Sequence, residues 1–329
     1  MVFYPVKFDI HGVIVEILAD DLEVKGILCD YLSYFRTDTD AAPAISFKLE
    51  RHDEKKLQIP EDAYWFLNYH GIAGFEKEGK YYYACGESVL MFDPDSSGID
   101  GIIGDEIMSI PRYFAYGLFT IVLMESLRYH GLYYLHGAAL ISPQGRSIVI
   151  TGEGATGKTT ITVSLIRLGW KWLTDDTLFI SNGTHGLKLL PFMREFHIPP
   201  KLAEKIEELR FLLNAPPYFP YNPKRAVKGE SIYGNQQVSS INRPDMVLFT
   251  YIVDEPVSRV EKMSALEALN KIIRMSPFVL FSQGAAKAHL EALKEIVEGA
   301  DCYKLYSGRD MVESPIAAMR GILRLISEA

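Results

Sequence analysis

The chain has 329 residues, which is enough for a large hydrophobic core and indicates two domains. Its apolar content of 48% and charged content of 23% are typical of a soluble globular protein. The net charge of −8 argues against a nucleic-acid partner, because such a surface would need a basic face.

The three cysteines, Cys29, Cys85 and Cys302, are scattered and show neither metal-ligand spacing nor a disulfide framework. This usage predicts a reducing, cytoplasmic location. The first ten residues lack a charged region followed by an apolar core, so no signal peptide is expected. The most apolar run, residues 113–124, is too short to span a bilayer, so no membrane partner is expected.

Residues 1–105 are predicted to form a β-rich module that carries no catalytic spacing. Residues 45–51 alternate apolar and charged side chains, as a half-buried strand does. The predicted strands cover residues 13–17, 45–51, 75–85 and 88–92, and one helix is predicted over residues 21–34. We expect this module to serve recognition or association, with a packing role as an equal alternative.

The second part of the chain, residues 106–329, opens with a predicted buried helix over residues 109–127. Ser109 is its expected N-cap and Pro111 suits its first turn. A strand over residues 133–141 follows and carries the pair His136-Gly137. A turn at residues 143–145 then leads into a short apolar strand, residues 148–151, directly before a glycine-rich segment.

This segment, GEGATGKT at residues 152–159, matches the phosphate-binding pattern G-x-x-x-x-G-K-[ST]. It stands between the strand 148–151 and a helix predicted over residues 160–168, where such a loop must stand. Backbone N–H groups of the loop would form a concave anion site at a helix N-terminus. The alternative is an ordinary glycine-rich turn with a solvated lysine.

ATP and Mg²⁺ are therefore the expected ligands. Lys158 would bring positive charge to the β- and γ-phosphates, and the Thr159 hydroxyl would ligate Mg²⁺. The predicted nucleotide-binding residues are Gly152, Gly154, Ala155, Thr156, Gly157, Lys158, Thr159 and Thr160.

A strand over residues 170–173 is followed by two adjacent carboxylates, Asp175 and Asp176. Phosphoryl transfer requires phosphates held in line, charge neutralised by a metal and a base for the attacking hydroxyl. Adjacent residues at a strand end point to opposite sides, so one carboxylate can face Mg²⁺ and the other the incoming hydroxyl. Adjacency alone does not rank the two. A turn or helix-cap role is the alternative for such a pair.

Beyond the acidic pair, short strands and helices alternate, with one stretch of a different kind. Strands are predicted at residues 177–181, 187–192, 246–253 and 302–306, and helices at 201–213, 264–275, 285–297 and from residue 315. Residues 214–242 are rich in prolines, aromatic residues and cations and show no periodicity. Such a stretch is typical of a lid over a site or of a disordered segment.

The order of His136-Gly137, the phosphate loop and Leu173-Thr174-Asp175-Asp176 resembles the kinase domain of the HPr kinase/phosphorylase family, over roughly residues 130–200. It is most similar to divergent members that phosphorylate a serine of a ribosomally made peptide or another protein. The resemblance implies a mixed α/β fold, related to phosphoenolpyruvate carboxykinase, for the kinase domain, beside a smaller β-rich N-terminal domain.

Two departures from the family pattern are visible. Residues 192–195, FMRE, replace its Leu-Glu-x-Arg-Gly segment, and its C-terminal segment with glycine and arginine is missing.

The resemblance also implies roles for single residues. Asp176 matches the aspartate that acts as base. Asp175 matches the aspartate that assists the metal, so Thr159 and Asp175 are the predicted metal ligands. His136 matches a histidine that lies beside the acidic pair and can shuttle a proton, with a structural histidine as the alternative. Arg194 could clamp a phosphate or bridge to the substrate, as guanidinium groups do, or be a surface arginine. The predicted catalytic residues are Asp176, His136 and Lys158.

The predicted function is an ATP-dependent kinase of HPr-kinase-like fold that phosphorylates a serine or threonine hydroxyl of a protein or peptide. The alternatives are a small-molecule kinase and a regulatory protein that binds nucleotide without transferring phosphate. The sequence does not name the acceptor, and it leaves homo-oligomerisation open.

Overall fold

The computed structural model describes residues 2–51, 57–183, 186–219 and 222–328. The chain forms two compact units: Met1–His130 with Phe281–Gly284, and Gly131–Leu280 with Ala285–Ala329. Each unit contains a nine-stranded sheet with helices, so the fold is mixed α/β. No helix within the described ranges is long and apolar enough to cross a membrane.

The first unit is built around one mixed sheet. Its strands are β1 (Tyr4–Ile10), β2 (Val13–Ala19), β3 (Arg36–Thr37), β4 (Ile45–Glu50), β5 (Tyr64–Tyr69), β6 (Ile72–Lys77), β7 (Lys80–Cys85), β8 (Ser88–Asp93) and β9 (Gly98–Ile102). Their order is β3-β1-β2-β4-β9-β8-β7-β6-β5. The β2–β4 and β4–β9 pairs are parallel and the other pairs are antiparallel.

Helices of the first unit follow β2 and β9. They are α1 (Leu22–Tyr31), α2 (Asp105–Met108), α3 (Pro111–Tyr113) and α4 (Thr120–Arg128), with a 3-10 turn at Ser33–Phe35 and a π-helical segment at Phe114–Phe119. Asp21 caps α1, because its carboxylate accepts hydrogen bonds from the backbone N–H groups of Glu23 at 2.8 Å and Val24 at 2.9 Å.

Residues 105–128 belong to the first unit because their aromatic side chains pack there. Tyr116 contacts Tyr31 with ring centroids 4.5 Å apart, and Phe119 contacts Phe47 at 4.9 Å. The chain therefore passes from one compact unit to the next after residue 130 and not near residue 105. The division into functional domains at residues 1–105 and 106–329 stays a prediction. The helix expected to be capped by Ser109 begins instead at residue 111.

The second unit contains the glycine-rich loop. Its strands are β10 (Leu132–Ile141), β11 (Ser147–Thr151), β12 (Lys171–Thr174), β13 (Thr177–Gly183), β14 (Gly186–Pro191), β15 (Glu195–Ile198), β16 (Arg225–Lys228), β17 (Ile241–Asn242), β18 (Met246–Ile252), β19 (Arg259–Lys262) and β20 (Asp301–Ser307). The main sheet has the order β17-β14-β13-β10-β11-β18-β20-β19, with β12 paired to β10. Strands β15 and β16 form a separate ribbon. Strand β18 is parallel to both β11 and β20.

Helices cover this second sheet on both faces. They are α5 (Lys158–Arg167), α6 (Pro200–Lys205), α7 (Gly229–Tyr233), α8 (Ala265–Arg274), α9 (Gln283–Glu298), α10 (Asp310–Glu313) and α11 (Pro315–Glu328), with 3-10 helices at Glu207–Asn214, Gly234–Gln236 and Pro277–Leu280. Ile148 and Ile150 of β11 belong to the core with α5 and α11, whereas Val149 belongs to the core with α8 and α9. A strand buried on both faces is a continuous apolar run, as residues 148–151 are.

The structure contradicts one sequence expectation for this unit and part of a second. The helix predicted at residues 201–213 is broken at Ile206, which is extended and buried, and continues as a 3-10 helix. Residues 214–242 are not a disordered segment, since they contain β16, α7 and β17, whereas their role as a lid stays a prediction; residues 220 and 221 lie outside the described residues. Local periodicity missed this order because β16 is held by β15, some 30 residues earlier in the chain.

Candidate active site

The glycine-rich loop joins the central strand β11 to helix α5. Gly152 has no room for a side chain, because an added Cβ would lie 2.5 Å from Thr250 Oγ1 and 2.9 Å from Thr250 O. Ala155 and Gly157 have left-handed backbone angles, with φ of 63° and 93°. Left-handed residues in such a turn let successive backbone N–H groups form an anion-binding concavity. The loop backbone is thus compatible with phosphate binding.

Lys158 is the first residue of α5, and its side chain folds back over the loop. The ammonium group donates hydrogen bonds to the carbonyl oxygens of Gly152 at 2.9 Å and Glu153 at 2.8 Å. Burial lowers the pKa of Lys158, and the charges of Asp176 and Asp175 oppose that lowering. Only 7% of the residue is exposed, so its positive charge lies within the loop and not in bulk water.

Thr159 and Asp175 form a buried pair. The Thr159 hydroxyl donates a hydrogen bond to Asp175 Oδ2 at 2.8 Å. Asp175 is 2% exposed, and its other oxygen, Oδ1, has no hydrogen-bond partner among the described residues. Burial raises the pKa of Asp175 to about 7, although the Thr159 hydroxyl acts in the opposite direction. A buried carboxylate oxygen without a donor is unfavourable, and carboxylate is a ligand that Mg²⁺ prefers, so the pair fits this ion.

A metal held by this pair would need further ligands. The described residues contain no cluster of three or more His, Cys, Asp or Glu side chains that could hold a metal ion. Mg²⁺ is commonly bound by one or two protein groups together with substrate phosphates and water. The Thr159–Asp175 pair therefore fits an ion that arrives with a nucleotide.

Asp176, the second carboxylate, lies beside His136. Nδ1 of His136 is 3.7 Å from Asp176 Oδ1, and the Thr177 hydroxyl donates to Asp176 Oδ2 at 3.0 Å. The sheet sets this approach, because His136 of β10 pairs with Thr177 of β13. Burial opposes the charge of the carboxylate, but the imidazoles of His136 and His197 when protonated, the charge of Lys158 and the Thr177 hydroxyl hold the pKa of the carboxyl well below its usual range. Burial lowers the pKa of His136, so an ionised carboxylate faces a neutral imidazole at neutral pH.

One cavity of about 530 Å³ lies beside these groups, a volume typical of small-molecule sites. Loop residues 154–160, His136 and Asp176 line it. The end of β18 and the region of α10 and α11 contribute an apolar cluster, which is Ile252, Met311, Val312 and Pro315. Helix α6 and the turn before β16 contribute a lysine cluster, which is Lys201, Lys205 and Lys224.

No family model matches the sequence, and no curated protein matches it significantly. Solved structures that match include the HPr(Ser) kinase/phosphatase from Coxiella burnetii, at 13% sequence identity and a TM-score of 0.30. The match covers 60% of this chain and 99% of the matched chain. The likeness is distant. It assigns the chain to no specific family.

The predicted site residues fall into two groups in the structure. Most of them, namely residues 154–160, His136 and Asp176, line the cavity, whereas Gly152 and Asp175 adjoin it without lining it. Arg194 is not among the lining residues, and its Nη1 atom forms an ion pair with Glu230 Oε1 at 3.0 Å. Its role in substrate binding stays a prediction, as do the roles of the other site residues.

Sequence reasoning did not single out Lys201, Lys205 or the apolar cluster, whereas Lys224 belongs to the cation-rich stretch 214–242. Lys201 and Lys205 stand four residues apart, which places them on one helix face and was a usable signal. No local pattern connects them with the glycine-rich loop. Their position follows from the packing of α6, whose Leu202 and Ala203 share a core with Ile161 of α5.

Proposed function

We propose that the protein is an ATP-dependent kinase that transfers the γ-phosphoryl group to a serine or threonine hydroxyl of a protein or peptide. One observation carries the proposal: the glycine-rich loop, the Thr159–Asp175 pair and the Asp176–His136 pair meet around one cavity. Phosphoryl transfer needs these parts, since it requires a phosphate cradle, a metal site and a group that takes the hydroxyl proton.

In this proposal the triphosphate binds along residues 154–160. Backbone N–H groups and the start of α5 hold its oxygens, and Lys158 exchanges its two carbonyl partners for phosphate oxygens. The apolar cluster binds the adenine ring of the nucleotide. Its residues Ile252 and Val312 are 65% and 55% exposed, and a flat ring would cover this apolar surface.

Thr159 and Asp175 would hold Mg²⁺. When bound, the ion would neutralise charge on the β- and γ-phosphates. Because the pKa of Asp175 is raised to about 7, this carboxyl is partly protonated at neutral pH and loses its proton when it serves as a ligand.

Asp176 is the proposed base. It lines the cavity, whereas Asp175 lies behind Thr159 and is 2% exposed, which supports the assignment of the two roles. The acceptor oxygen forms a bond to the γ-phosphorus while the bond from that phosphorus to the bridging oxygen breaks, and ADP leaves. The hydroxyl proton passes to Asp176, and neutral His136 at 3.7 Å can take it on towards solvent.

A base of low pKa is sufficient for this reaction. The transition state of phosphoryl transfer is loose, so the nucleophile needs positioning more than full deprotonation. The negative charge of a bound triphosphate would also raise the pKa of Asp176 from its low value towards neutrality.

The experiment that tests the proposal is transfer from γ-labelled ATP in the presence of Mg²⁺ and cell extract separated by molecular size. Labelled serine or threonine in polypeptide supports it, whereas label confined to small molecules supports a small-molecule kinase. ATP binding in calorimetry without labelling of any fraction supports a regulatory nucleotide-binding protein and refutes the kinase. Asp176→Asn is the matched control, because it should bind Mg·ATP and transfer almost nothing.

A further inference from the structure

The cavity is cationic although the chain is acidic. Among the described residues, four lysines line it, Lys158 and the three of the lysine cluster, against one carboxylate, that of Asp176. The chain as a whole has a net charge of −8. A local excess of positive charge in a cleft concentrates anions there and increases their rate of encounter.

The lysine cluster is available to a ligand. Within the part of the chain that the structure describes, no ion pair involves Lys201, Lys205 or Lys224. Two other cations of the same unit are paired, Arg167 with Glu208 and Arg194 with Glu230. Unpaired ammonium groups that line a cavity are a recognition feature for anionic groups.

The lysine cluster has two parts. Lys224 lies close enough to His136 and Lys158 to influence their pKa values, which places it near the proposed point of transfer. Lys201 and Lys205 are not among the main influences on these groups, and they belong to α6. The triphosphate already has the loop backbone, the start of α5 and Lys158. The two α6 lysines are therefore left for the other substrate.

We propose that the acceptor is an acidic peptide segment whose carboxylates bind Lys201 and Lys205 while its hydroxyl faces Asp176. The inference rests on the proposed kinase function and adds the charge class of its acceptor. Spacing sharpens it: residues four apart on a helix are about 6 Å apart, and alternate side chains of an extended peptide are about 6.5–7 Å apart. An acidic-x-acidic pattern next to the phosphorylated residue matches the two lysines.

The test compares three peptides of equal length, each with one serine, flanked by Asp-x-Asp, Asn-x-Asn or Lys-x-Lys. With saturating Mg·ATP, we expect wild-type kcat/KM to be highest for the Asp peptide, by roughly tenfold or more over the Asn peptide. The double variant Lys201→Glu, Lys205→Glu should lose roughly tenfold or more on the Asp peptide and gain on the Lys peptide.

A matched control changes the net charge equally elsewhere. Lys188→Glu with Lys287→Glu alters two exposed lysines that do not line the cavity, so the peptide preference should stay that of wild type. An unchanged preference in the Lys201 and Lys205 double variant would overturn the inference. A double variant that loses Mg·ATP affinity in calorimetry but keeps the peptide preference would also overturn it, because the lysines would then serve the nucleotide.

A second measurement does not depend on turnover. Fluorescence anisotropy follows the binding of the three peptides, with serine replaced by alanine, to the full chain. Tighter binding of the Asp peptide that is lost in the Lys201 and Lys205 double variant supports the inference, and equal binding of all three peptides overturns it. If wild type binds the Asp peptide in this way but binds no Mg·ATP, the kinase proposal fails while the lysine assignment stands.

Discussion

Asp175→Asn should stabilise the protein in the absence of nucleotide and also weaken its Mg²⁺-dependent binding of ATP. Burial raises the pKa of Asp175 from its ordinary value of 3.8 to about 7. The folded state therefore binds this proton more tightly than the unfolded state does. Because the pKa of Asp175 is higher in the folded state, its contribution to the free energy of unfolding decreases as the pH rises from about 4 to about 7. Above about pH 7 this contribution no longer changes.

The magnitude follows from the shift. About three pKa units correspond to about 4 kcal/mol in the free energy of unfolding at pH 8. With 2% exposure, solvent does not screen this side chain. Asparagine cannot ionise, so the cost of ionising a buried carboxyl disappears. Its amide, however, lies where Oδ1 has no hydrogen-bond partner, and an unsatisfied buried polar group costs about 1–3 kcal/mol. We expect a net stabilisation of about 1–3 kcal/mol at pH 8, and about zero at pH 5.

Urea denaturation of wild type and Asp175→Asn at pH 5 and pH 8 measures this difference. Asp176→Asn is the matched control, and it should lower the free energy of unfolding. The pKa of the Asp176 carboxyl is lowered in the folded state, so this carboxyl stabilises the fold above about pH 4, and the amide removes that contribution. Calorimetry should show that the affinity of the wild type for Mg·ATP decreases at pH values below 7, where the proton and the ion compete for Asp175. The affinity of Asp175→Asn should not show this pH dependence. Equal stabilities at both pH values would refute the burial argument, and unchanged Mg·ATP affinity would remove Asp175 from the metal site.

Three further substitutions test separate parts of the site. Asp176→Asn should bind Mg·ATP nearly as wild type does and lower single-turnover transfer roughly 10²–10⁴-fold in rapid-quench assays; normal transfer would exclude it as the base. Lys158→Ala should weaken ATP binding and abolish turnover, because it removes the positive charge of the loop; unchanged affinity in calorimetry would exclude the loop from the mechanism. Gly152→Ala should destabilise the fold by roughly 1–3 kcal/mol, since its Cβ would meet Thr250, whereas Gly154→Ala meets nothing within 4 Å. Equal urea midpoints for these two variants would contradict the steric argument.

The glycine-rich loop and the acidic pair could be recognised in the sequence because each is a contiguous pattern. Lys158 and Thr159 follow their glycines directly, and a strand before the loop with a helix after it is a local property of the chain. The structure has strand β11 and helix α5 at those places, within a mixed α/β fold. The strand–loop–helix order could therefore be predicted from neighbouring residues alone.

Assignment of residues 105–128 to a compact unit needed the tertiary structure. The apolar run in this segment predicts a buried helix, but it does not indicate whether the helix packs against the core of the first or of the second unit. Contacts of Tyr116 with Tyr31 and of Phe119 with Phe47 place it in the first unit. These partners lie more than 70 residues away in the chain, and no pattern of neighbouring residues indicates them.

By itself the sequence determined a glycine-rich loop that ends in Lys158 and Thr159, and two adjacent carboxylates. Only the tertiary structure decided that Asp175 contacts Thr159 while Asp176 lines the cavity, and that the lysine cluster joins them. It also left Arg194 outside the lining. The physical reason is that whole elements pack by burying their apolar faces, as α6 does against α5, and the polar residues they bring together are a consequence of that packing.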